Sequence, residues 1–241
     1  MNRDNTLDGF LGGRLSIAQP RRGFRAGHDT VLLAASIPAL AGSHALELGS
    51  GAGVASLCLA WRVPKARVAG IEIDPELVAL ANENAERNGM ADRVSFKCAD
   101  AASIGADAAF DHVFFNPPFH PASGEESPNA ARDLAMRDAA DAIPDWTRSA
   151  FALTRPGGTA TAILRADRVE DMLAASDGRG VVLFPLFPRN GEAPKRMIVQ
   201  FQKGNPEPLR LTAGLVLHEQ DGRNTAGAEA ILRHGAALAL V

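Results

Sequence analysis

The chain has 241 residues, of which 46% are hydrophobic and 22% are charged, and its formal net charge is −3. This composition is typical of a globular protein that buries a sizeable core. The negative charge excludes a general attraction to nucleic acid or anionic membranes, so RNA binding would need a local basic patch. No apolar run is long enough to cross a bilayer, and the N-terminal residues lack the apolar stretch of a signal peptide.

The predicted elements begin after a polar, glycine-rich lead. Residues 1–14 predict a flexible segment, 15–19 a short strand, and Asp29 to Leu40 a helix. Strands and helices then alternate. Strands are predicted at 44–48, 67–73, 93–97, 111–115, 157–164, 181–187 and 196–202, and helices at 53–62, 75–88, 137–153 and 167–176.

This alternation predicts an α/β fold in which a mostly parallel, seven-stranded sheet has helices on both faces. The last two strands are joined by a segment too short for a crossover helix, so the final strand is expected to be antiparallel. We divide the chain into an N-terminal extension (1–27), the α/β domain (28–203) and a C-terminal extension packed on that domain (204–241). The C-terminal extension predicts a strand at 209–217 and a short helix from Thr225 to Arg233.

The two cysteines, Cys58 and Cys98, lie in apolar sequence surroundings and form no Cys-x-x-Cys pair. We therefore expect neither a zinc site nor a disulfide framework, and no metal. Buried free thiols favour a reducing, cytoplasmic location.

A glycine-rich turn follows the first strand of the predicted sheet. Glycines allow positive φ and a close backbone approach to a ligand, and the helix that follows offers free N–H groups. The alternative is a tight turn that binds nothing. The candidate ligand-binding residues here are Glu47, Gly49, Ser50, Gly51, Ala52 and Gly53.

Acidic residues follow the next two strands. Glu72, followed by Ile73, ends the second strand, where a carboxylate can accept both hydroxyls of a ribose. Asp100 and Ala101 follow the third strand, where a carboxylate and a backbone N–H can bind an adenine ring. The alternatives are an exposed strand-end charge and a solvated loop. Asp74 is assigned to the cap of the next helix.

The sequence Asn116-Pro117-Pro118-Phe119 follows the fourth strand. Two prolines cannot continue a strand, so the chain must leave the sheet directly after the asparagine. An amide side chain, a proline carbonyl and an aromatic ring are thereby expected at the carboxyl edge of the sheet, where open α/β sheets bind ligands.

The four motifs occur in order, each after its own strand, and over residues 28–202 the chain resembles the class I S-adenosylmethionine-dependent methyltransferases. The resemblance implies a Rossmann-like fold and S-adenosylmethionine as cofactor. It also implies that the residues of the glycine-rich turn bind the cofactor together with Glu72, Ile73, Asp100, Ala101 and Asn116. Asn116, Pro117, Pro118 and Phe119 are implied to be catalytic at a planar nitrogen.

The flanking segments narrow this resemblance. Several short segments are similar to the bacterial tRNA1(Val) adenine-37 N6-methyltransferase group: Thr6–Arg14, Gln19–Arg25, His28–Ala35, Pro194–Gln200, and Leu217–Glu219 followed by Thr225 and Ala226. In that group the front segment covers the methionine end of the cofactor, which makes Asp29 and Thr30 expected contacts.

Phe119 departs from the tyrosine that is usual in adenine and glutamine methyltransferases. Followed by His120, it resembles the ribosomal-RNA guanine N2-methyltransferases. The expected function is RNA N-methylation, with adenine N6 in tRNA first and guanine N2 second. A protein glutamine methyltransferase and a non-catalytic RNA-assembly module remain further alternatives.

The arginine clusters 21–25 and 189–196, together with Arg132 and Arg137, are candidate phosphate contacts; the oligomeric state is left open.

Overall fold

A mostly parallel sheet organises the computed structural model, which describes residues 5–23, 25–101, 110–117, 143–176 and 178–241. The helices are α1 (His28–Ser36), α2 (Val54–Arg62), α3 (Pro75–Arg87), α4 (Ile143–Leu153), α5 (Val169–Leu173) and α6 (Ala226–Leu232). The strands are β1 (Asn5–Phe10), β2 (Leu15–Pro20), β3 (His44–Leu48), β4 (Arg67–Glu72), β5 (Val94–Cys98), β6 (Phe110–Phe115), β7 (Thr154–Arg165), β8 (Val181–Arg189), β9 (Arg196–Gln202), β10 (Arg210–Leu211) and β11 (Leu215–His218).

Within these residues the main sheet has nine strands, in the order β10-β8-β9-β7-β6-β3-β4-β5, and β11 also pairs with β8. Strands β3 to β7 pair in parallel, whereas β9 runs antiparallel to both of its neighbours, β7 and β8. The predicted α/β fold with an antiparallel final strand is confirmed. The C-terminal segment adds two short strands, β10 and β11, to the predicted seven.

Side chains alternate between the two faces of the sheet, as they must along a strand. Phe114 packs into the apolar cluster that includes α1, α2 and α6, whereas Val113 and Phe115 pack into the cluster with α4 and α5. Both faces of the sheet are therefore covered, which explains why its strands read as continuous apolar runs.

Three local predictions are corrected. Residues 5–14 are not a flexible lead, because β1 pairs antiparallel with β2 from Asn5 to Pro20. Helix α1 ends at Ser36 rather than Leu40, since Ile37 precedes a proline and adopts an extended conformation (ψ 120°). The strand predicted at 209–217 is interrupted, and it forms β10 and β11. Part of the helix predicted at 137–153 falls outside the described residues.

The predicted cap of α3 is present. Asp74 accepts hydrogen bonds from the backbone N–H groups of Glu76 (2.8 Å) and Leu77 (3.4 Å). Among the described helices, none has the length and apolar character needed to span a bilayer.

Candidate functional site

The carboxyl ends of four parallel strands bring the sequence motifs together. Leu48 of β3 pairs with Ile71 of β4 and with Phe115 of β6, so the residues that follow these positions leave the sheet side by side. Glu72 likewise pairs with Cys98 at the end of β5. From β3 the chain continues to β4 and β5 on one side and then returns to β6 on the other side of β3. The carboxyl end of β3 is therefore the point where the order of the strands reverses, which is where open α/β sheets bind ligands.

Two aromatic rings pack against the glycine-rich turn. A Cβ atom at Gly49 would lie 2.5 Å from the Trp146 ring, and one at Gly53 would lie 2.6 Å from the Phe96 ring. At Gly51, by contrast, no heavy atom of the described residues lies within 4 Å of such a position. Side chains of the protein therefore fill the space beside Gly49 and Gly53, whereas the space beside Gly51 is open among the described residues and is a candidate position for a ligand.

Glu72 holds the turn in place while facing this open space. Its carboxylate accepts hydrogen bonds from the backbone N–H of Gly51 at 2.9 Å and of Asp74 at 3.1 Å. Each carboxylate oxygen has further acceptor capacity, so Glu72 can also accept from ligand hydroxyls. This geometry fits the expected ribose contact.

Glu47 lies behind the turn rather than at its surface. Its side chain is 4% exposed, and it accepts hydrogen bonds from the backbone N–H (3.0 Å) and the hydroxyl (2.6 Å) of Ser56. Burial raises the pKa of its carboxyl group to about 8. Glu47 thus ties β3 to the first turns of α2, and its direct contact with a cofactor stays a prediction.

The next part of the edge combines an exposed apolar side chain with acidic and backbone groups. Ile73 is 67% exposed directly after β4, and Asp100 is exposed after β5, whereas Ala101 is buried. Cys98 is exposed and its thiol approaches the carbonyl of Ile73 at 3.4 Å, which corrects the prediction that both cysteines are buried. The flat face of a heterocyclic ring could pack on Ile73 while the polar groups on the edge of the ring reach Asp100.

Asn116 emerges from β6 one residue beyond the strand pairing. Its side-chain oxygen is buried and has no hydrogen-bond partner among the described residues. A buried acceptor without a partner carries a desolvation cost, which a ligand N–H would relieve. Pro117 is buried beside it, and the predicted catalytic residues Pro118 and Phe119 lie outside the described residues.

Helix α1 brings a further pair of predicted residues to this edge. Asp29 accepts a hydrogen bond from Nε of Arg196 at 2.7 Å, and Thr30 is buried in the same turn. Arg196 begins β9 and pairs with Arg165 at the end of β7, so this ion pair sits on the carboxyl edge of the sheet. Asp29 therefore has a protein partner, and any ligand contact would share its carboxylate.

Sequence reasoning missed Trp146. It lies on the first turns of α4, where its ring packs on Gly49 and makes an edge contact with Phe115 at 5.9 Å between centroids. A tryptophan in an amphipathic segment signals burial, but the sequence holds no signal for the partner it meets.

The groups at this edge of the sheet fit a nucleoside cofactor. They include a carboxylate for ribose, an open backbone turn, an exposed apolar side chain and an acidic residue at the next strand end. Among the described residues no group of three or more His, Cys, Asp or Glu side chains is arranged to hold a metal ion.

Comparison with known families matches residues 25–144 to the model described as "Methyltransferase small domain". A curated tRNA1(Val) (adenine(37)-N6)-methyltransferase from Porphyromonas gingivalis is 33% identical over 178 residues, covering 68% of each chain. A protein with the same name from Actinobacillus succinogenes is 27% identical over 221 residues, covering 90% of this chain and 92% of that one.

Among solved structures, a predicted O-methyltransferase from Agrobacterium tumefaciens has a TM-score of 0.74 and 28% identity, covering 88% of this chain and 98% of that one. An S-adenosylmethionine-dependent O-methyltransferase from Thermotoga maritima has a TM-score of 0.55 and 16% identity, covering 76% and 67%. The second likeness supports the fold alone.

Proposed function

The chain belongs to the methyltransferase small domain family of S-adenosylmethionine-dependent methyltransferases, and from this premise we propose that it methylates an exocyclic amine of a base in RNA, adenine N6 in a tRNA. The observation that carries the proposal is the buried side-chain oxygen of Asn116, which has no partner among the described residues and lies at the carboxyl edge of the sheet. The names of the curated relatives support the same base and the same class of RNA. Such a substrate implies action in the cytoplasm.

The proposed chemistry addresses the weakness of the nucleophile. When bound, S-adenosylmethionine supplies an electrophilic methyl group on a sulfonium. The nitrogen lone pair of an exocyclic amine is delocalised into the base ring. The Asn116 side-chain oxygen and the Pro117 carbonyl each accept one amine hydrogen, which favours a pyramidal nitrogen and stabilises the positive charge that develops on it. Phe119, outside the described residues, would stack on the base.

The Agrobacterium relative is described as a predicted O-methyltransferase, which makes oxygen the alternative acceptor atom. Two hydrogen-bond acceptors on consecutive residues suit an amine, which offers two hydrogens, better than a hydroxyl, which offers one. Asn116 and Pro117 therefore favour a nitrogen target.

Guanine N2 is the second candidate. It is also an exocyclic amine, so Asn116 and Pro117 suit it equally. Phe119 followed by His120 favours it over adenine, because this pair resembles the guanine N2 enzymes.

RNA would approach along a row of arginines beside Asn116. Arg165, Arg196 and Arg189 lie at the same edge on β7, β9 and β8, which are neighbours in the sheet. Arg165 pairs with Asp167 and Arg189 with Glu192, at exposed positions where ion pairs are weak. Phosphates could replace these acidic partners, and a base extruded from the RNA would then reach Asn116.

The decisive experiment supplies tRNA from a strain that lacks the gene, together with S-adenosylmethionine carrying a deuterated methyl group. We expect the purified protein to produce labelled N6-methyladenosine, detected by mass spectrometry of the nucleosides. Asn116→Ala should abolish the label and leave S-adenosylhomocysteine binding unchanged, because Asn116 acts on the base.

Other products would select other functions. Labelled N2-methylguanosine would establish the guanine alternative, and a label on oxygen would contradict the proposed roles of Asn116 and Pro117. A label on glutamine side chains of added protein would transfer the proposal to proteins. Cofactor binding with no labelled product in RNA or protein would favour a non-catalytic module.

A further inference from the structure

Asn84, on the inner face of α3, uses the full hydrogen-bonding capacity of its side chain. Its oxygen accepts from the backbone N–H of Ala18 at 2.8 Å and from Nη1 of Arg87 at 2.7 Å. Its nitrogen donates to the carbonyls of Ala18 at 2.9 Å and Ala52 at 3.0 Å. The residue is fully buried, so no water competes for these groups.

One turn later, Asn88 makes the equivalent pair of bonds to the hairpin. Its oxygen accepts from the N–H of Ser16, and its nitrogen donates to the carbonyl of Ser16, both at 3.0 Å. Four helical residues rise by about 6 Å. Two strand residues rise by about 6.6 Å, so the two amides match alternate residues of β2. The helix thus offers β2 a substitute for a neighbouring strand, which explains why the hairpin is ordered.

Of these two asparagines, only Asn84 also reaches the glycine-rich turn. Ala52 lies between Gly51 and Gly53, and its side chain packs with those of Ala18 and Leu80 in a small apolar cluster. The hairpin and the glycine-rich turn therefore meet at one amide group. Asn88 docks the same hairpin, but its side-chain hydrogen bonds go to Ser16 and to the carbonyl of Asn84.

The far end of β2 leads on to α1. Gln19, which is buried, accepts a hydrogen bond from the N–H of Ala26 at 2.8 Å. Ala26 lies two residues before α1, which carries Asp29 and Thr30. A shift of β2 along α3 would consequently move both the glycine-rich turn and the start of α1.

We propose that Asn84 is a positioning residue that couples docking of the N-terminal hairpin to cofactor binding at the glycine-rich turn. Cofactor that orders the turn fixes the carbonyl of Ala52, and through Asn84 it stabilises the pairing with Ala18. By thermodynamic linkage, a docked hairpin raises cofactor affinity by the same factor. The coupling is independent of which substrate accepts the methyl group.

Asn84→Ala and Asn88→Ala form a matched pair, since each removes one side-chain amide that binds the hairpin. Of the two, only the Asn84 amide also binds the glycine-rich turn. We expect Asn84→Ala to raise the Kd for S-adenosylhomocysteine, measured by calorimetry, by at least about tenfold, the effect of losing one or two buried hydrogen bonds. Asn88→Ala should leave this Kd unchanged. Both variants should speed amide hydrogen exchange in residues 5–20.

The distinguishing readout is exchange in the hairpin with and without S-adenosylhomocysteine. The ligand should slow exchange at Ser16 and Ala18 in the wild type and at Ala18 in Asn88→Ala, and it should have no such effect in Asn84→Ala. A purely structural role for Asn84 would leave this response in place.

Asn84→Asp provides a second variant should the alanine variant not fold. It keeps the accepting contacts with the N–H of Ala18 and with Arg87, and it loses both donated bonds, to the carbonyls of Ala18 and Ala52. Its Kd should also rise. Equal Kd values for the Asn84 and Asn88 variants, or a wild-type hairpin whose exchange ignores the ligand, would overturn the proposal.

Discussion

Trp146 lies against Gly49 so closely that a Cβ atom at residue 49 would fall 2.5 Å from Cη2 of the indole ring. The contact joins the helix that follows the Asn116 segment to the turn expected to hold the cofactor. The first glycine of the turn is thus required by packing inside the protein, whereas the space beside Gly51 is open among the described residues and is where we expect the cofactor.

We expect Gly49→Ala to lower the free energy of unfolding by about 2–4 kcal/mol, since it combines overpacking with a left-handed backbone. The φ angle at Gly49 is 65°, and that at Gly51 is 54°. Gly51→Ala is the control: it has the strain without the clash, so it should cost only about 1–2 kcal/mol. Urea denaturation measures both.

Gly51→Ala should cost less stability than Gly49→Ala, but it should raise the Kd for S-adenosylhomocysteine by more. Trp146→Leu in the Gly49→Ala background should recover part of the lost stability. Equal destabilisation by the two alanines would contradict the assigned role of Trp146.

Glu72→Gln tests the ribose contact. Glutamine has one acceptor oxygen, so it cannot accept from Gly51, from Asp74 and from both hydroxyls of a ribose at once. Hydrogen bonds to charged groups are worth about 1.5–3 kcal/mol, so the Kd for S-adenosylhomocysteine should rise about 10- to 100-fold. Calorimetry checks this. Glu83→Gln, on the exposed side of α3, makes the same change of charge and should leave the Kd unaltered.

Glu47 and His112 give stability opposite dependences on pH. Burial raises the pKa of Glu47 from 4.5 to about 8, so the folded state keeps a proton that the unfolded state has lost. Stability therefore falls as pH rises between these values. Burial lowers the pKa of His112 from 6.5 to about 4, so stability rises with pH across that interval. The two effects oppose each other up to pH 6.5, and above it Glu47 acts alone.

We expect the free energy of unfolding of the ligand-free protein to fall by up to about 1.4 kcal/mol per pH unit between pH 6.5 and 8. Glu47→Gln should remove this slope, because its amide does not titrate and can still accept from Ser56. Denaturation at a series of pH values provides the test. A slope that persists in Glu47→Gln would show that another group is responsible.

Charge reversal tests the arginine row. Arg165→Glu and Arg189→Glu should each weaken binding of tRNA and reduce the dependence of log K on log salt by about 0.7–0.9. Filter binding at several salt concentrations measures this slope. Arg67→Glu is the matched control, because Arg67 begins β4 and so lies at the edge of the sheet opposite the arginine row. It should leave the affinity for tRNA and its salt dependence near wild type. Unchanged affinity in the first two variants would remove the row from the RNA surface.

Much of the fold and of the candidate site could be predicted from local sequence signals. The alternation of apolar runs predicted the strands, and the short segment before Arg196 predicted the antiparallel strand. The glycine-rich turn, Glu72 and Asn116 each lie at or directly after the end of a strand, so their common edge follows from the rule that parallel strands end together. These inferences succeed because each depends on a few neighbouring residues and on the regular geometry of a sheet.

Tertiary structure alone decided which partners these residues meet. The hairpin from Asn5 to Pro20 is ordered because Asn84 and Asn88 pair with Ser16 and Ala18, which lie 66 or more positions away in the chain. The exposure of Cys98 and the packing of Trp146 on Gly49 depend on how separate elements come together. The sequence determined the strands, the turn and the order of the motifs along one edge, because these follow from local periodicity and backbone preference. The fold decided which of those residues face a ligand and which face the protein, because that depends on side chains brought together from distant parts of the chain.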